Sequence, residues 1–199
     1  MFVTFEGLDG SGKSTQARLL QEHLAEAGRA AVLTREPGGT PVGEGVRALV
    51  LDAALDISPW SEAALFAAAR AELVERVIGP ALERGDDVVC DRYIDSSLAY
   101  QGIARALGVD RVLELNLHAT RGLLPDRTFL LVVDAQESAR RVGGEPDRIE
   151  REGDGFRARV ARAYGELAEL FPGRVVPVDG TRPAPEIADL IRGQVRDLL

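Results

Sequence analysis

Residues Gly7-Leu8-Asp9-Gly10-Ser11-Gly12-Lys13-Ser14 fit the pattern G-x-x-x-x-G-K-[ST], and few sequence features restrict a fold so tightly. The pattern works only between a strand and a helix. Phe2-Val3-Thr4-Phe5 reads as that strand, and Gln16 to Leu24 places apolar residues at helical spacing, closed by Gly28 as a C-cap. A glycine-rich turn between them aims backbone N–H groups and a helix N-terminus at an anion. The lysine of such a turn reaches β- and γ-phosphates, and the serine hydroxyl ligates Mg²⁺. Gly7, Leu8, Asp9, Gly10, Ser11, Gly12, Lys13, Ser14 and Thr15 are therefore the candidate nucleotide-binding residues. A turn that merely joins strand to helix is the bland alternative. Composition argues against it, because Lys13 is the only lysine among 24 Lys and Arg residues.

Beyond this turn, apolar strands alternate with helical stretches. Strands are expected at 2–6, 31–35, 87–91, 128–134 and 174–178, each nearly continuous in Val, Leu, Phe or Ile, as in a parallel sheet covered on both faces. Helices are expected at 13–27, 42–51, 59–84, 94–107, 110–122, 136–141, 156–171 and 184–198, with Ser58-Pro59 as a start signal for the third. The pattern predicts an α/β doubly wound sheet of five parallel strands between two helical layers, over one domain of 199 residues, with ligands beyond the carboxyl strand ends. Residues 142–155, rich in Gly, Pro and charge, read as a mobile loop.

A formal charge of −8 argues against general binding to nucleic acid or anionic membranes. No apolar run approaches a membrane span, and no leader is expected before the first strand, which places the chain in the cytoplasm. Cys90, the sole cysteine, reads as a buried strand residue, and His23 and His118 as ordinary helix residues.

Four further segments carry chemistry. Thr34-Arg35-Glu36-Pro37-Gly38-Gly39-Thr40-Pro41 follows the second strand; a turn explains its Pro and Gly but not Arg35 or Glu36. Asp91 ends the third strand, where such enzymes keep a second Mg²⁺ handle acting through water, and Arg92 beside it needs an anionic partner. Ser96, Ser97, Tyr100 and Gln101 fall at helical spacing on what would be one pocket wall. Phe66 alone suits a core, but with Arg70 one turn on it would stack an aromatic base. The fourth segment, a lid over about 140–155, brings Arg140, Arg141, Arg148 and Arg151; most are solvated charge, yet phosphoryl transfer uses an arginine supplied in cis.

Together these segments resemble the bacterial thymidylate kinases from end to end. Phe5 to Gln16 is similar to that family's phosphate loop, Thr34 to Pro41 to its second signature, Asp91 to Gln101 to its third, and Asp147-Arg148-Ile149-Glu150 to its lid. The resemblance implies a nucleoside monophosphate kinase fold, with a short mobile lid, that transfers the ATP γ-phosphoryl to dTMP with Mg²⁺, as a homodimer. It implies that Asp9 holds the 3′-hydroxyl and the metal region, and that Ser14 and Asp91 serve the metal. Glu36, Pro37, Phe66, Arg70, Arg92, Ser96, Ser97, Tyr100 and Gln101 would surround dTMP, with Phe66 on thymine and Tyr100 against the 2′ position. Lys13, Asp9 and Arg92 would act in catalysis with a lid arginine, Arg148 first and Arg141 second, since only five residues separate Arg141 from Asp147. A kinase of another nucleoside monophosphate or of a deoxynucleoside is the alternative. A GTP switch needs Asn-Lys-x-Asp, which a chain with Lys13 as its only lysine lacks.

Overall fold

A computed structural model describes residues 1–198. Five parallel strands form one sheet: β1 (Phe2–Glu6), β2 (Ala31–Arg35), β3 (Asp87–Asp91), β4 (Arg127–Val132) and β5 (Val175–Asp179), in the order β2-β3-β1-β4-β5. Phe5 of β1 stands level with Asp91 on one side and Phe129 on the other. The phosphate loop therefore leaves the middle of the sheet, and Asp91 and Arg35 end the neighbouring strands at the same height.

Alternation along β1 assigns its side chains to two cores. Val3 and Phe5 pack with Val89 and Phe129 under α1 (Lys13–Glu26) and α9 (Ala184–Val195), through Leu20, Leu24, Ile187 and Ile191. Phe2, Thr4 and Glu6 face the other layer. That layer holds α2 (Pro41–Leu51), α3 (Pro59–Leu73), α4 (Gly79–Glu83), α5 (Ile94–Ser97), α6 (Val109–Thr120) and α8 (Gly153–Leu170). Burial on both faces explains the unbroken apolar runs of the central strands. The edge strands β2 and β5 show side chains such as Leu33 to solvent.

Two helices read as continuous are interrupted. The helix expected over 59–84 passes through a π-helical turn at Val74–Ile78, and the one over 94–107 becomes π-helical at Leu98–Ala104. Such turns leave no mark on apolar spacing and occur often at functional sites. The loop expected over 142–155 is also shorter. After α7 (Ala135–Arg141), only 142–149 is irregular; Glu150–Glu152 is a 3₁₀ turn, and α8 opens at Gly153. Asp147 Oδ1 accepts from the backbone N–H groups of Ile149 (2.8 Å) and Glu150 (2.9 Å), so a side-chain cap orders what Gly and Pro content had marked as loop.

Candidate active site

Helix α1 follows Gly12 at its N-cap, with no side-chain cap and no acidic residue in its first turn. Its free N–H groups point into an open groove of about 890 Å³ lined by Gly10, Gly12, Lys13, Ser14 and Thr15. The backbone requires glycine at two places. A Cβ on Gly7 would lie 2.5 Å from the Leu131 carbonyl oxygen, and one on Gly10 2.9 Å from Arg141 Cβ, both residues having positive φ. The second contact brings α7 against the loop, where Ser138 Oγ also donates to the Asp9 carbonyl at 2.8 Å.

Lys13 Nζ donates to the Leu8 carbonyl (2.7 Å) and lies 3.9 Å from Asp9 Oδ1. Burial, with the Arg92 charge adding to it, brings its ammonium down to about 8. Burial would raise the Asp9 carboxyl, but Arg92 and Lys13 outweigh it and hold it at about 2. Ser14 Oγ donates to Asp91 Oδ2, while Asp91 Oδ1 is buried without a protein partner.

Arg92 occupies the left-handed region at φ 71°, a strained conformation for a non-glycine residue and one that clusters at functional sites. The strain aims its guanidinium across the strand ends. It donates to Asp9 Oδ1 (2.6 Å), Ser96 Oγ (3.1 Å) and the Tyr164 hydroxyl (3.1 Å) and lies over the Tyr100 ring. Behind it sits Glu6, fully buried, which accepts from Tyr93 N–H (2.8 Å), Ser96 N–H (3.0 Å), Ser96 Oγ (2.6 Å) and Tyr164 Oη (2.8 Å). Arg92 thus has the anionic partners a strand-end charge requires.

A second cleft, about 530 Å³, lies beside the groove and is lined by Phe66, Ser96, Ser97, Tyr100 and Gln101, with Leu51, Asp147 and Ile149 opposite. Asp9, Glu36, Arg47 and Arg92 line both spaces, so the two open into one another at four charged side chains.

The match to a thymidylate kinase family model covers residues 5–191. The chain belongs to the thymidylate kinase family. A thymidylate kinase of Leifsonia xyli subsp. xyli is 51% identical over 195 residues, covering 96% of this chain and 92% of that one. One of Symbiobacterium thermophilum is 48% identical over 201 residues, covering 100% and 94%. The solved thymidylate kinase structure from Ehrlichia chaffeensis superposes with a TM-score of 0.79 at 33% identity over 98% of both chains. The sheet order and the helical layers described above are thus a thymidylate kinase fold.

Most residues that the family resemblance singled out gather at these two spaces, but two arginines stand elsewhere. Arg70 is not in the cleft wall. It is 1% exposed and lies one layer behind, donating to Glu36 Oε2 (2.8 Å), Ser97 Oγ (2.9 Å), the Tyr93 carbonyl (2.9 Å) and Asn116 Oδ1. Arg148 is not at the phosphate groove. Its Nε donates to the Val50 carbonyl (2.8 Å) and its Nη2 to Glu62 Oε2 (2.6 Å), which turns the charge away from the loop. Arg141 does line the groove, its Nη1 donating to the Gly180 carbonyl at 3.1 Å. The order expected for the lid arginines is therefore reversed by position.

Sequence reading missed Arg47, Glu6 and Tyr164 altogether. Glu6 carried a usable signal, a lone acid closing an apolar strand, the same anomaly that marked Arg92. Arg47 carried none, being one more arginine on a helix of mixed character.

Proposed function

We propose that this chain transfers the γ-phosphoryl group of ATP to the 5′-phosphate of dTMP, giving dTDP and ADP. The observation that carries the reading is the junction of groove and cleft at Asp9, Glu36, Arg47 and Arg92. ATP phosphates would lie along the loop from Gly7 to Thr15, with Lys13 exchanging the Leu8 carbonyl for β- and γ-oxygens. Arg47 pairs with no carboxylate among the described residues, its Nη1 donating to the Pro37 carbonyl at 3.1 Å. With Arg92 it would hold the acceptor phosphate, Phe66 would stack on thymine, and Tyr100 would crowd a 2′-hydroxyl. An acceptor-phosphate oxygen bonds to the γ-phosphorus as the bond to the β,γ-bridging oxygen breaks, and the released charge stays on ADP beside Lys13.

Mg²⁺ fits the same site. Among the described residues no three His, Cys, Asp or Glu side chains cluster to cage a metal. Mg²⁺ asks for less: one or two carboxylates, with waters and phosphate oxygens completing its shell. The Ser14 hydroxyl and the unpartnered Asp91 Oδ1 meet that need, with Asp9 across the groove. When bound, the ion would neutralise charge on the phosphates. Glu36 and Pro37 would border the acceptor. We place the reaction in the cytoplasm, in a homodimer; the exposed Val42 and Leu49, seven residues apart on one face of α2, support an apolar contact there, checked by light scattering.

A coupled ADP-release assay over nucleoside monophosphates tests the assignment. dTMP should give the highest kcat/KM, with dUMP below it by roughly 10–200-fold, the value of one methyl group in an apolar pocket. CMP, AMP or GMP outperforming dTMP would overturn the assignment and leave the fold standing.

A further inference from the structure

Two neutral polar side chains in the cleft wall, Ser97 and Gln101, are each backed by a buried charge. Ser97 Oγ accepts from Arg70 Nη1 at 2.9 Å. A guanidinium only donates, so the serine can only accept from it, and the hydroxyl proton is left for the cleft. Gln101 shows the opposite polarity. Its Nε2 donates to Glu62 Oε1 at 2.8 Å, and its Oε1 has no protein partner among the described residues. Glu62 is 1% exposed and also accepts from Arg105 Nε (3.2 Å), Arg105 Nη2 (3.1 Å) and Arg148 Nη2 (2.6 Å). Burial alone would raise its carboxyl, but these donors hold it low, so it is an acceptor-only carboxylate at neutral pH. An amide against such a group must offer its NH₂. The orientation therefore follows from the chemistry of Glu62 and does not depend on how the amide oxygen and nitrogen are assigned.

We propose that Glu62 is a positioning residue that locks the Gln101 amide with its carbonyl toward the cleft, so that the wall selects a base edge carrying a ring N–H. With the Ser97 hydroxyl as donor and the Gln101 carbonyl as acceptor, the wall complements C4=O and N3–H of thymine. Cytosine presents the reverse, an amino donor and a bare ring nitrogen. Ser97 Oγ keeps a second lone pair that can accept from the amino group, so the discrimination falls on the Gln101 carbonyl, which meets the ring nitrogen acceptor against acceptor. The selection is sharp because the groups are buried, and an unmatched buried polar group costs far more than a lost contact. Glu62 also receives Arg148 from the lid segment, so the same carboxylate ties the lid to the wall that reads the base. The proposal rests on dTMP as acceptor.

The test compares kcat/KM for dTMP, dUMP and dCMP in the parent, Glu62→Gln and Arg148→Met. A parent that prefers dCMP to dTMP defeats the acceptor assignment itself. Given a parent that prefers dTMP, Glu62→Gln, whose amide can either donate or accept, should lower the dTMP/dCMP ratio at least about fivefold. The dTMP/dUMP ratio should not follow, because dUMP shares the N3–H and C4=O edge. Arg148→Met should lower both activities and keep the dTMP/dCMP ratio. A smaller fall in Glu62→Gln, an equal fall in dTMP/dUMP, or an equal fall in Arg148→Met would each overturn the proposal. If Glu62→Gln does not fold, hydrogen exchange of the Gln101 side-chain amide in the parent decides, assigned by its loss in Gln101→Met. That NH₂ should exchange at least about tenfold more slowly than those of the exposed Gln136 and Gln194, with and without dTMP. Exchange as fast as theirs would contradict a lock.

Discussion

At the scale of single residues, Lys13 sets the sharpest requirement. Its ammonium is buried, bonded to the Leu8 carbonyl, and faces a loop already crowded by backbone N–H groups. Arginine keeps the charge but replaces a compact head with a wide planar one that asks for a fork of acceptors. Lys13→Arg should fold and bind nucleotide, yet lose at least about 10²-fold in kcat through misplaced phosphates; near-parental turnover would show that charge alone suffices. The pH behaviour of the same group has two opposite signs. With its folded value lowered to about 8 from 10.5, the apo protein sheds this proton before the unfolded chain does. Between those values the unfolded state binds more protons, so the Lys13 contribution to apo stability rises with pH. ATP affinity should fall over the same interval, because the phosphates need the charged form. Thermal unfolding of parent and Lys13→Met from pH 7 to pH 10 checks the first sign, and ATP titration of the parent checks the second.

At the scale of elements, α7 and the segment after it divide what sequence had joined. The contact of Arg141 with Gly10 places α7 at the phosphate groove, whereas Arg148 is tied to α2 and α3 through Val50 and Glu62. Arg141→Ala should therefore lower kcat by on the order of 10²-fold or more with a modest effect on dTMP affinity. Arg148→Ala should lower kcat less and thermal stability more, since Glu62 keeps Arg105 but loses its shortest ion pair. Steady-state kinetics and melting of both variants separate the two roles. The misplacement of Arg148 has a physical reason. Its partner Glu62 is 86 positions away, and nothing in the local pattern of either residue announces the pair. Strands were legible to within two residues because burial on both faces writes itself as unbroken apolar runs. The phosphate loop, Asp91, Arg92 and the Ser96–Gln101 wall were legible because polar groups stand where a strand or helix alone would not put them. The π-helical turns, Glu62, Tyr164 and Arg47 were not, since tertiary packing alone gives them their meaning, whereas Glu6 was overlooked despite closing an apolar strand.

At the scale of the whole molecule, the order β2-β3-β1-β4-β5 brings the ends of β1, β2 and β3 to one height and places two ligand spaces side by side above them. Against a net charge of −8, Lys13, Arg47, Arg92 and Arg141 form a local set of cations along the groove, and Arg47 and Arg92 stand where it meets the cleft. Direct transfer between two bound nucleotides is the reading proposed for that arrangement. Incubation with ATP labelled at the γ-phosphate, with chromatographic separation of products, tests it most directly. The label should appear as the β-phosphate of dTDP in amounts equal to the ADP formed. Label released as inorganic phosphate while dTMP stays unmodified would contradict the account.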